Sequence, residues 1–102
     1  MKISLEEFTP DSGSSFRFMD NPRLSELFYW HFHPETELVF IEAARGTRHV
    51  GEHISSFAEA DLVLIGGHIP HLNFDYGIQT PYTQYVLHIS EHFLRDSLDK
   101  VP

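Results

Sequence analysis

The chain has 102 residues, 41% of them apolar and 14% aromatic, and no cysteine. This describes one small domain able to bury a core, and it excludes disulfides and thiol redox chemistry. Fifteen Asp and Glu against seven Lys and Arg give a formal charge of -8, and the basic residues Lys2, Arg17, Arg23, Arg45, Arg48, Arg95 and Lys100 are scattered, so no patch suited to a phosphate backbone is present. The acidic opening Met1-Lys2-Ile3-Ser4-Leu5-Glu6-Glu7 lacks the apolar centre of a signal peptide, and no run approaches the roughly 18 apolar residues of a membrane span. The expectation is a soluble, cytoplasmic protein with no membrane partner and no nucleic-acid contact of its own.

Ile3 and Leu5 alternate with polar residues, and Thr9 to Ser15 reads as a loop. Phe16 to Met19 is a short strand whose Arg17 either lines a ligand pocket or is a solvated charge. Asp20-Asn21-Pro22 is a turn, and Leu24, Leu27 and Phe28 fit one helical turn or a strand entry. Phe28 to His33 and Thr36 to Ala43 are strands separated by Pro34-Glu35. In the second, Leu38-Val39-Phe40-Ile41 is apolar on both phases, as in a strand covered on both faces.

Ala43 to Gly46 reads as a hairpin turn, Thr47 to Val50 as the returning strand, and Gly51-Glu52-His53 as a tight turn with Gly supplying a positive φ. Ile54 to Phe57 and Asp61 to Ile65 are strands joined by a turn at Ala58-Glu59-Ala60. Gly66-Gly67 permits close backbone packing or a sharp bend before Ile69-Pro70-His71. Leu72 to Tyr76 is a strand, Gly77 to Pro81 a loop and Tyr82 to Ser90 the last strand. Ser90 and Glu91 then open a helix carrying Phe93, Leu94 and Leu98 at helical spacing. Many short strands with frequent turns indicate an all-β sandwich or barrel.

The chemistry concentrates between Trp30 and His71. In a strand, positions i and i+2 leave the same face, so His31 and His33 stand side by side roughly 7 Å apart. Glu37, brought alongside by the turn at Pro34, and His71 from another strand complete a nitrogen and oxygen set suited to a divalent transition metal such as Zn, Ni, Fe, Mn or Cu. The same four groups would equally serve a metal-free pocket by hydrogen-bonding a small molecule. With eight His in the chain, some spacing is coincidental: His49, His53, His88 and His92 are read as outside the site, whereas His68 precedes His71 at the same mouth. If Tyr85 faces inward, Thr83 and Leu87 do too, forming an aromatic wall suited to a sugar or an aromatic effector, and Asn73 shares a face with His71. Trp30 faces away from His31, into the core or a subunit contact.

His31, His33 and Glu37 resemble the first metal motif of the cupin superfamily, with His71 at the place of the second motif's histidine. The series Trp30-His-Phe-His-Pro-Glu-Thr-Glu-Leu38-Val39, Gly46-Thr47-Arg48, Asp61-Leu62-Val63-Leu64-Ile65-Gly66 and Ile69-Pro70-His71 is similar to the N-terminal sensor domain of AraC-type transcription regulators, over about residues 28 to 98. The resemblance implies a cupin jelly-roll barrel (a double-stranded β-helix) with a short C-terminal helix. It further implies a single sensor domain spanning residues 1–102, cut from a longer regulator whose helix-turn-helix part contacts DNA. In such sensors the barrel often works without a metal. The sequence departs from the family at Glu59-Ala60-Asp61, where a Gly usually precedes the Asp, and at Gly67-His68, in place of a more usual Pro-Asn.

The expected function is therefore binding of a small-molecule effector, a sugar or an aromatic acid, by the sensor domain of such a regulator. The alternative is a stand-alone metal-dependent enzyme, a dioxygenase or isomerase, with His31, His33, Glu37 and His71 as ligands and Tyr85 or His68 as acid or base. A homodimer is expected through the apolar stripe of the helix that begins at Glu91.

Overall fold

The computed structural model describes residues 3–5, 16–23, 30–75, 77–78 and 80–98. The elements are β1 (Ile3–Leu5), β2 (Phe16–Asp20), β3 (Trp30–Phe32), β4 (Thr36–Val50), β5 (His53–Ile65), β6 (Thr83–Ile89) and α1 (Glu91–Leu98). Strands β2, β6, β4 and β5 form an antiparallel sheet in that order, and β1 runs parallel to β3. The loop expected at 9–15 and the turn or strand entry around Leu24, Leu27 and Phe28 lie outside the described residues.

Two turns expected from the sequence are bends in continuous strands. Ala43 to Gly46 makes no hairpin: β4 runs through it, and its register against β5 slips by one residue between Glu42 and Ala44. Ala43 is the extra residue, at φ 61°, and Glu59, which pairs with Ala44, has φ 73°. A non-glycine residue held in this region costs about 1 kcal/mol or more, and a bulge both bends the strand and increases its twist. The pairing on either side of the bulge holds the two residues there. The turn-forming composition of 43–46 and 58–60 thus marks a corner, while the actual hairpin turn is Gly51-Glu52, with Gly51 at φ 58°.

The bulge also reverses which residues face inward. Before it, Glu37, Val39 and Ile41 are buried; after it, Ala44 is. Arg48 shows how far the corner folds: it pairs in register with Ser55, yet its Nε and Nη2 donate to Asp61 Oδ2 and Oδ1 at 2.7 and 2.9 Å. The distal half of the β4–β5 hairpin is therefore turned over the proximal half. Its edge is extended by the chain around His71, since Val50 and His31 both bridge to His71 and Leu72 N–H donates to His49 O at 3.1 Å. The segment expected as a strand from Leu72 to Tyr76 is no strand over its described residues, 72–75: it turns at Phe74 and Asp75, and Phe74 is buried.

Between the two layers lie two apolar clusters. Val39, Ile65, Phe74 and Val86 form one, with Met19, Val50 and Val63 against it. Ile41, Ala44 and Phe57 form the other, with Ile78 and Tyr82. Helix α1 begins as its sequence indicates: Ser90 Oγ accepts the Phe93 N–H at 3.1 Å, an N-cap bond. Phe93 packs its ring on Phe16, centroids 4.9 Å apart.

Candidate metal centre

Five polar side chains converge at one end of this interior. His31, His33 and His71 are each 1% exposed, His88 2% and Glu37 7%. Their positions follow from the strands. His31 and His33 leave the same side of β3 and its continuation, as their spacing requires. His31 and His71 exchange two backbone hydrogen bonds, N–H to O at 3.1 and 2.9 Å, which sets their rings 4.3 Å apart. Glu37 on β4 is the direct register partner of His88 on β6.

The loop between β3 and β4 is fixed by backbone. His68 N–H donates to His33 O at 2.7 Å, and a Cβ on Gly67 would stand 2.3 Å from Pro34 O. Only glycine permits that approach, so the expected close packing at Gly66-Gly67 rests on Gly67.

Two of the rings are oriented by carbonyl oxygens. His33 Nδ1–H donates to Glu35 O at 2.9 Å, and His71 Nδ1–H donates to Ile69 O at 2.8 Å. A carbonyl only accepts, so both Nδ1 atoms carry the proton and both Nε2 atoms point into the cluster, the arrangement found behind metal-binding histidines. Glu37 Oε1 lies 3.0 Å from His33 Nε2, 2.8 Å from His88 Nε2 and 3.5 Å from His71 Nε2. Burial by itself raises the Glu37 carboxyl, but the contacts with His33, His71 and His88, and the charge on His71, outweigh it and hold the group well below its ordinary value.

These contacts pose a proton-counting problem. A neutral His33 has one N–H for two acceptors, the Glu35 carbonyl and the Glu37 carboxylate. Among the described residues, His71 Nε2 is buried with no hydrogen-bond partner. A cation answers both: either the rings take up extra protons, or a metal ion takes the place of those protons. The atoms of His31, His33 and His71, and those of His33, Glu37 and His88, lie within 4.8 Å of one another. Nitrogen and carboxylate donors in this number suit a divalent transition metal. The cluster can hold a metal ion, and its residues fit one.

The structure thus brings together all four residues of the expected ligand set, His31, His33, Glu37 and His71, and adds His88, which the sequence reading had set aside. His88 could be found only through the β4–β6 register, which no local pattern reveals. Arg17 is half-buried and is the register partner of His88 on β2, so it shares the inward phase. Asn73 is half-buried on the segment after His71.

The proposed aromatic wall is elsewhere. On β6 the buried phase is Gln84, Val86 and His88. Tyr85 is on the opposite, outer face with Leu87 and Thr83, its ring stacked between Phe18 and Phe40 at centroid distances of 6.0 and 6.3 Å. His68 is exposed, with Nε2 3.7 Å from Glu91 Oε1, so its backbone supports the site while its side chain stays out. His49 meets Trp30 edge-on at 6.0 Å, and His53 and His92 are exposed. No described helix is long and apolar enough to cross a membrane.

No family model matches this sequence, and no curated protein matches it. Among solved structures, the crystal structure of a cupin 2 conserved barrel domain protein from Rhodopseudomonas palustris is similar, with a TM-score of 0.52 and 19% identity. The match covers 81% of this chain and 57% of that one, so this chain spans little more than half the length of its neighbour. Likeness at this identity speaks to architecture: the chain is an all-β barrel of the cupin type with a short C-terminal helix.

Proposed function

We propose that this barrel is the effector-sensing domain of an AraC-type transcription regulator and that it holds a divalent transition metal, Zn, Ni, Fe or Mn, through His31, His33, His71 and Glu37, with His88 against Glu37. The observation that carries the metal reading is the convergence of His33 and His71 Nε2 atoms, each fixed by an Nδ1–H bond to a carbonyl, on one buried carboxylate. A bound ion supplies Lewis acidity and open positions for oxygen atoms of a small molecule. Arg17, opposite His88 in the sheet, adds a cationic anchor, which favours an effector bearing a carboxylate, such as an aromatic acid, over a neutral sugar.

The regulator reading rests on the order of motifs along the sequence and, at the cluster, on the positions of the two expected acid–base candidates. Tyr85 and His68, the candidates for an enzyme, both lie outside it. Binding in the barrel would shift the population of domain arrangements, by no more than the effector's differential affinity for them. With a charge of -8 and no basic patch, contact with DNA belongs to a helix-turn-helix part elsewhere in the parent protein.

The test is metal content after stripping and reloading. Wild type should take up about one ion per chain, with affinity falling below about pH 6 as imidazoles protonate. The His31→Ala/His33→Ala variant should take up none while keeping its β circular dichroism. Equal metal content in that variant would overturn the metal reading. The regulator reading is checked separately by sequencing the reading frame beyond Pro102: two helix-turn-helix patterns support it, and an immediate stop codon removes it.

A further inference from the structure

The His88 imidazole enters the cluster from β6, a strand that supplies none of the other donors. Its Nε2 stands 2.8 Å from Glu37 Oε1, nearer than His33 Nε2 at 3.0 Å and His71 Nε2 at 3.5 Å. All three rings thus face the same carboxylate oxygen. Donor atoms that share one ion at about 2.1 Å lie about 3.0 Å apart at a right angle and about 3.4 Å apart at the tetrahedral angle. The three separations match the edges of one coordination shell. His33 belongs to both close-set groups, the one with His31 and His71 and the one with Glu37 and His88.

We propose, building on the metal reading of this cluster, that His88 is itself a ligand, the fifth beside His31, His33, Glu37 and His71, and not a hydrogen-bond donor that steadies Glu37 from outside the shell. The partners that orient ligands from outside are already present: the carbonyls of Glu35 and Ile69 hold the Nδ1–H groups of His33 and His71. His88 Nε2 instead meets the oxygen that the bare Nε2 atoms of His33 and His71 also face. His88 is 2% exposed and is the register partner of Glu37, so backbone pairing between two strands fixes its position, as a ligand requires. Its ring centroid lies 4.7 Å from that of His33, closer than the 5.9 Å between His31 and His33, although His31 belongs to the expected set.

A fifth protein donor changes what the site can accept. Four ligands leave a six-coordinate ion two positions, enough for a chelating molecule, whereas five leave one. The small molecule that fits is then one offering a single oxygen, a simple carboxylate, and not a chelate such as an α-keto acid, a hydroxamate or a catechol. A shell of four imidazoles and one carboxylate also exceeds the tetrahedral set that zinc favours, so it suits Ni, Fe or Mn better than Zn.

The experiment loads the full chain with Co(II) and records its proton NMR spectrum, with circular dichroism as the folding control. A histidine bound through Nε2 carries its proton on Nδ1, beside the paramagnetic ion, and gives one far-shifted exchangeable signal. Wild type should show four such signals. His88→Phe should show three and bind Co(II) about 100-fold more weakly, the upper end of what loss of an outer partner costs, while His49→Ala should match wild type in both. Three signals in wild type, or four in His88→Phe, overturn the His88 assignment and leave the metal reading standing. A wild type that takes up no Co(II) overturns both. Should His88→Phe not fold, the wild-type count decides alone. Benzohydroxamate, which chelates through two oxygens, should bind Co(II)-loaded His88→Ala more tightly than wild type, and equal affinity overturns the single open position.

Discussion

Replacing Glu37 with Gln keeps the side chain's shape and removes its charge from the middle of four buried histidines. In metal-free protein the carboxylate accepts from His33 and His88 at 3.0 and 2.8 Å. Hydrogen bonds to charged groups contribute about 1.5–3 kcal/mol each, and breaking a buried ion pair costs about 3–5 kcal/mol. Gln retains one acceptor oxygen and the rings can release their protons, so the net loss should be about 3 kcal/mol near neutral pH. For a domain of this size, with an m-value of about 2 kcal/mol per M in urea, the unfolding midpoint should fall by about 1.5 M in the presence of chelator. The pH dependence has a definite sign. Because the folded carboxyl is held well below its ordinary 4.5, its contribution is fully present above that value and is lost as pH falls through the folded value. The gap between wild type and Glu37→Gln should therefore be widest above about pH 5 and narrow in acid. A Glu37→Gln midpoint equal to that of wild type, or a gap that widens on acidification, would refute the charge argument.

Two further outcomes follow from other parts of the barrel. Gly67→Ala puts a Cβ against Pro34 O, a backbone atom with no room to yield; the expected result is a loss of about 2 kcal/mol or more and at least tenfold weaker metal binding, read by denaturation and by competition with a metal indicator. Tyr82 donates to buried Asp75 at 2.5 Å, and burial followed by that partner pushes its phenol up to about 12. Its folded value is raised, so the Tyr82 contribution to stability should be constant below pH 10 and decline as pH climbs from 10 to 12. A 295 nm absorbance titration should show a late tyrosine transition that Tyr82→Phe removes.

Most of the candidate metal set was legible because its geometry is local. His31 and His33 share a face by strand parity and Glu37 follows one turn later, whereas His71, on another strand, was placed by the resemblance and the order of motifs. His88 was not legible: it meets Glu37 through pairing between strands distant in sequence, and its neighbours Gln84 and Val86 read as a mixed, unremarkable phase. Tyr85 misled for the complementary reason. The Thr83, Tyr85 and Leu87 phase looks like the inner one because it is more apolar, yet on this strand the inward phase is Gln84, Val86 and His88, which carries His88 to the polar cluster, and the more apolar phase faces outward. The corner at Ala43 and Glu59 was misread as two turns, since a bulge and a turn draw on the same backbone conformations.

That corner makes the length of β4 a more fragile property than its composition. Ala43 itself is exposed and lies in neither core cluster, so packing leaves its side chain free within what its positive φ allows, which disfavours β-branched residues and excludes proline. Its presence is not free, because it alone keeps the two halves of the strand out of step. Deleting it would force a choice: either Glu37 turns outward and Leu38 swings into the histidines, or Ala44 leaves the space beside Phe57. A chain of this design can drift widely in sequence along this strand while tolerating no insertion or deletion between Glu42 and Ala44.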